Sequence, residues 1–230
     1  MAVFILALAS ASTALPRYPS PWDIARQSIH DHRGLIVGGT EVAPAYKYPW
    51  LAAMKFNGYQ GCGASLIAQQ WILTAAHCVD PPTAPVSTYS FTVHAHSATD
   101  DNSHGCTETI RAAKVVCHPS YDKATMIADI CLMKLAKKPR CAAKIRERGP
   151  ILDTPGSGRT AAGKLATVAG WGTLSSGGSG PEFMQEVDVP LVGRAAANAV
   201  YDGGILPDMI AAGYTDGGKD VCAPWGSKRG

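Results

Sequence analysis

The sequence predicts an all-β protein, a barrel or sandwich of short antiparallel strands. Three observations predict it. Short apolar runs recur along the chain with turn signals between them. Glycine and proline are abundant, 24 and 16 of 230 residues, which favours many turns over long helices. Only residues 194–201, RAAANAVY, read as helical, and that stretch is short.

Taken in order, residues 15–33 hold three prolines and no period, and read as a pro-segment or linker. Strands are expected over 48–56, 61–67, 71–78, 89–97 and 109–118. In 89–97, Phe91, Val93 and Ala95 fall on one face and His94 and His96 on the other, the period of a half-buried strand. Residues 129–136, DICLMKLA, are apolar on both faces and read as a central strand. Further strands are expected over 164–173, 183–192 and 208–214, and SSGGSGP (175–181) as a flexible surface loop.

The bulk numbers bound the function. The chain suffices for one large domain or two small ones. Its net charge of +3 is small. The basic stretch KLAKKPR (134–140) reads as a solvated loop, so no nucleic-acid partner is expected. Residues 2–11 form an apolar run too short to span a bilayer and followed by small residues at 9–14, so residues 1–14 read as a secretion signal. No other segment is long and apolar enough to cross a membrane. Seven cysteines in a secreted chain imply disulfides, and the odd number leaves one over.

Two residues invite chemistry. His77, in LTAAHC (73–78), ends a strand beside a disulfide-competent cysteine, which suits a rigidly held general base. Alone, it reads as a structural histidine, which a lone histidine usually is. Asp129, in ADIC (128–131), opens an apolar strand, where a carboxylate needs a partner and an imidazole N–H is a good one. Alone, it reads equally as a cap or turn residue. His94, His96, His104 and His118, with Asp100 and Asp101, match no structural zinc pattern, so no metal or cofactor is expected.

The segments IVGGTEVAPAYKYPW, GCGASLIAQQWILTAAHC, HPSYD, DICLMKL, VAGWGT, QEVDVPLV and AGYTDGGKDVC resemble, in order, those of the trypsin-like serine endopeptidases, from Ile36 to Cys222. The resemblance implies a double antiparallel six-stranded β-barrel, with a first barrel over about 36–140 and a second, incomplete one over about 150–222. It implies His77 as general base, Asp129 as the residue fixing its tautomer, and a disulfide between Cys62 and Cys78. It also implies Asp220 as the carboxylate at the base of a pocket selecting Arg or Lys. The family's helix-to-strand disulfide positions fall on Ala197 and Ala211. Cys106, Cys117, Cys131 and Cys141 allow three connectivities, and Cys131 is expected as a buried free thiol.

The resemblance then breaks. The family carries its nucleophilic serine four residues past the cysteine, where Gly226 stands here, and Pro224 replaces the oxyanion-hole glycine. Ser227 lies one residue further on. Trp225 stands where the family's carboxylate receives the new N-terminus after activation, and Arg33 precedes Ile36 by three positions. An ammonium buried without that partner costs on the order of 3–5 kcal/mol. The family's three further strands and closing helix do not follow, and residues 223–230 read as a divergent tail. Three expectations compete. The first is a secreted, monomeric endopeptidase acting on proteins or peptides, this chain being a copy cut short by a frameshift, retained intron or wrong gene model, and inactive as written. The second is a secreted pseudoprotease that binds or inhibits a target protein. The third is a product that folds poorly.

Overall fold

Among the described residues the chain forms twelve strands, the longer ones on period-two patterning: β1 (Leu35–Val37), β2 (Thr40–Glu41), β3 (Leu51–Phe56), β4 (Tyr59–Leu66), β5 (Trp71–Thr74), β6 (Tyr89–Val93), β7 (Glu108–Cys117), β8 (Cys131–Leu135), β9 (Leu165–Gly170), β10 (Gln185–Val192), β11 (Ala211–Ala212) and β12 (Asp220–Cys222). The computed structural model describes residues 35–79, 84–99, 105–147, 157–172, 180–214 and 220–222. Six strands close into an antiparallel barrel in the order β3–β4–β5–β8–β7–β6. Closure leaves no free edge among these six, and every second residue points inward. Ile72, Phe91, Met133 and Leu135 fill the interior, all fully buried.

A second, smaller sheet gathers around β10, which pairs with β9, β11 and β2. Val187, Val189 and Leu191 alternate along β10 and pack with Ala212. The short strand β2 comes from the start of the chain, so it stitches the two halves together. Lys47 bonds both carboxylate oxygens of Glu186 on β10, at 2.8 and 2.9 Å, and Tyr48 donates to the same carboxylate. The indole N–H of Trp171 donates to the His96 carbonyl at 3.0 Å. A separate ribbon pairs β1 with β12, setting Leu35 against Cys222 and Val37 against Asp220. This architecture is consistent with the double barrel the resemblance implies.

Several details depart from expectation. Strand 71–78 stops at Thr74, and Ala76–Val79 coil into a 3₁₀ turn. The strand expected over 89–97 ends at Val93, because His94 adopts φ +51°, a left-handed conformation that breaks extension. Among the described residues two α-helices form rather than one: α1 (Ala142–Glu147) and α2 (Arg194–Val200). The first, less than two turns long, carries no readable period and is held by burying Ala142 and Ile145. Ala197 and Ala211 share one small apolar cluster with Tyr201 and Ile205, at the positions where the resemblance implies a disulfide.

Disulfides join Cys62 to Cys78, Cys106 to Cys141, and Cys117 to Cys131. The free thiol expected at Cys131 is therefore corrected. Cys117 and Cys131 are direct partners across the β7–β8 ladder, with Cα atoms 3.9 Å apart, so the register makes them neighbours. Six of the seven cysteines are thereby used, and Cys222 is the seventh.

Glu108, at the start of β7, is a buried carboxylate with built-in partners. It accepts the Arg140 backbone N–H at 2.5 Å and pairs with the Lys137 ammonium at 2.7 Å. Burial pushes its pKa up, but Lys137 and Arg140 together outweigh burial and hold it below the ordinary value. A carboxyl with a depressed folded pKa stabilises fully above the unfolded value of about 4.3 and loses that stabilisation as pH falls through the folded one. Glu108→Gln is therefore expected to lower stability at pH 7, with the gap to the native chain narrowing in denaturant titrations near pH 3.

Candidate active site

Two segments of the barrel converge on His77 and Asp129. His77 sits in the 3₁₀ turn that follows β5, and the Cys62–Cys78 bond ties that turn to β4. Two residues before β8, the carboxylate of Asp129 is entirely shielded from water, while the imidazole of His77 is partly exposed. The His77 ring Nδ1 lies 2.6 Å from Asp129 Oδ2. The backbone N–H of His77 donates to Asp129 Oδ1 at 2.7 Å. Each carboxylate oxygen thus holds a different part of the same residue, which fixes both the ring's direction and the loop that carries it.

A buried carboxylate facing Nδ1 favours a proton there, which leaves Nε2 as the basic nitrogen. A developing imidazolium would be stabilised by the same carboxylate. The arrangement is suited to taking a proton from a hydroxyl and later returning it to a leaving group. Tyr121 borders this pair. Burial first, and the negative charges of Asp129 and Asp122 next, push its phenol up to about 12, so it stays neutral.

The backbone leading into Asp129 is strained. Met126 and Ala128 hold φ of +58° and +54°, a region that costs a residue with a Cβ about 1–2 kcal/mol. The Ala128 N–H donates to Asp208 Oδ2 at 3.1 Å, anchoring the turn to the second half of the chain. Ala128→Gly is expected to raise stability by about 0.5–1 kcal/mol, read as a higher urea midpoint with an unchanged slope.

Of the residues the sequence singled out, His77, Asp129, Cys62 and Cys78 come together here. Asp220 lies in β12, across the ladder from Val37. Among the described residues the one cluster of metal-ligating atoms is Cys62, His77 and Cys78, but both sulfurs are bonded to each other, leaving a single imidazole. Segments 1–14 and 15–34, the tail with Pro224, Trp225, Gly226 and Ser227, and Asp100, Asp101 and His104 lie outside the described residues. Sequence reasoning missed Tyr121 and Asp208. The HPSYD segment held the first, and nothing local signalled the second.

Comparison with known proteins adds a pattern to this geometry. The family model described as Trypsin matches residues 36–223. Serine protease 1 of Rattus norvegicus is 33% identical over 222 residues, covering 96% of this chain and 79% of that protein. Trypsin of Xenopus laevis is 34% identical over 188 residues, covering 81% and 71%. Anionic trypsin of Bos taurus is 34% identical over 221 residues, covering 96% and 78%.

Proposed function

Since the chain belongs to the trypsin-like serine protease family, we propose that it keeps the proton-handling pair of a serine endopeptidase while residues 1–230 supply no nucleophile for it. The observation that carries this reading is the grip of a fully buried Asp129 on both the ring and the backbone of His77. In a family endopeptidase such a histidine activates a serine hydroxyl for attack on the peptide carbonyl, then protonates the departing amine. Past Cys222 this chain offers Gly226, which has no side chain, and Pro224, which has no N–H for an oxyanion. The apolar run at 2–11 and the three disulfides support secretion.

A fluorophosphonate probe, which bonds to activated serines, tests the reading. No labelled peptide is expected after tryptic digestion and mass spectrometry. A label on Ser227, or on any other serine and lost in His77→Ala, would overturn it.

A second reading, that the chain binds basic side chains without cutting, is supported by Asp220 in the sequence context of a specificity pocket. A carboxylate there would recover its desolvation cost from a guanidinium or amidinium. Benzamidine is expected to bind in a calorimetric titration, with Asp220→Ala abolishing the heat. Equal heats from both proteins would remove this reading.

A further inference from the structure

Asp208 is an exposed residue of the second half of the chain, yet its carboxylate reaches the turn that delivers Asp129. Within that turn Met126 and Ala128 both hold a left-handed φ, which a residue with a Cβ keeps only where its surroundings impose it. Three of the bonds that impose it are local. The Asp122 N–H donates to the Ile127 carbonyl at 3.1 Å, the Ile130 N–H to the Ala128 carbonyl at 2.8 Å, and the His118 N–H to the Ile130 carbonyl at 2.9 Å. A fourth comes from outside the segment, from the Ala128 N–H to Asp208 Oδ2 at 3.1 Å. It is charge-assisted, and it orients the peptide plane on which the φ of Ala128 turns, one residue before Asp129.

Asp208 is itself held in place. Asn198 on α2 donates its side-chain amide to the Ile205 carbonyl at 3.2 Å and accepts the Ile205 N–H at 2.7 Å. Ile205 is buried with Ala197 and Tyr201. The Met209 N–H donates to the Leu206 carbonyl at 3.0 Å and closes the turn that carries Asp208. The carboxylate is therefore presented to Ala128 from a fixed turn.

We propose that Asp208 is a positioning residue for the His77–Asp129 pair, an inference that rests on the reading of that pair given above. By keeping Ala128 left-handed, it aims the Asp129 carboxylate so that one oxygen meets the His77 backbone N–H at 2.7 Å and the other faces ring Nδ1 at 2.6 Å. It acts through the Ala128 backbone. Without it, Ala128 relaxes toward the regions a Cβ prefers, Asp129 turns with it, and the contact to Nδ1 lengthens. A turn in the second half thus sets the geometry of a pair housed by the first barrel.

Proton NMR of the intact chain tests this, because a proton held between Nδ1 and a buried carboxylate is strongly deshielded and exchanges slowly with water. Asp208→Ala is expected to move that signal upfield and to speed its exchange about tenfold. Asp208→Asn, whose amide oxygen can still accept the Ala128 N–H, should keep most of the signal. Adding Ala128→Gly to Asp208→Ala should restore it in large part, since glycine adopts that φ without help. Glu108→Gln, a destabilising change away from the turn, should leave it in place, so a loss of stability alone does not account for the shift. A signal unmoved in Asp208→Ala but lost in Asp129→Ala would overturn the positioning role alone. A native chain with no such signal would overturn the pair itself, and this inference with it.

Discussion

Offered an arginine p-nitroanilide peptide, the 230-residue chain is expected to release product no faster than buffer does, even after cleavage near Arg33. Loss of a triad serine alone lowers kcat by roughly 10⁶ in serine peptidases, and removing further members of the unit adds little. The residual catalysis in such variants comes from the oxyanion hole and substrate binding. On the proposed reading Pro224 takes the place of an oxyanion donor, and proline has no N–H to give. A single lost donor of that kind is worth on the order of 10² to 10³ in rate. On the proposed reading both deficits act on the same transition state, which leaves the histidine–aspartate pair nothing to accelerate. Steady release of nitroaniline that disappears in His77→Ala would sink the expectation, because it would require a hydroxyl that reaches the imidazole.

Replacing Asp129 by alanine is expected to cost about 2–5 kcal/mol of stability, seen as a large drop in urea midpoint. One buried carboxylate oxygen accepts a hydrogen bond from the His77 backbone N–H, and the other faces the ring Nδ1. Truncation removes the acceptor that holds each of these donors, and a buried donor deprived of its acceptor costs about 1–3 kcal/mol. Asp129→Asn separates the roles. The amide oxygen can still take the backbone N–H, but the amide NH₂ then meets Nδ1 and moves the ring proton to Nε2. Nitrogen-15 spectra of labelled histidine should report that exchange of tautomers, with a stability loss smaller than for alanine. An unchanged tautomer in Asp129→Asn would show that the carboxylate does not set the ring's proton.

The strands were legible because a pleated, half-buried surface writes itself as alternation, as at Val187, Val189 and Leu191 on β10. The candidate pair was legible for a different reason. The LTAAHC and DIC segments carry a family context that a lone histidine or aspartate lacks, and the barrel brings the two side chains within hydrogen-bond distance. Other features depend on register or on distant partners. Cys117 meets Cys131 only because β7 and β8 pair with a bulge at Ala113, and no spacing rule encodes that. Glu108 finds its cations in a loop some thirty residues on. The turn at Ala128 is held by Asp208, eighty residues away. Strands of two or three residues, such as β1, β2 and β12, are too short to display any period at all.

The β1–β12 ribbon has a bearing on the order in which the molecule assembles during synthesis. The barrel is complete once Leu135 has emerged, so it can collapse while the rest is still being made. Residues 35–37, by contrast, wait for a mate about 180 positions later, on the order of ten to forty seconds at ordinary elongation rates. The first strand to leave the ribosome is therefore among the last to find its place, and a nascent chain arrested before Asp220 would carry it unpaired.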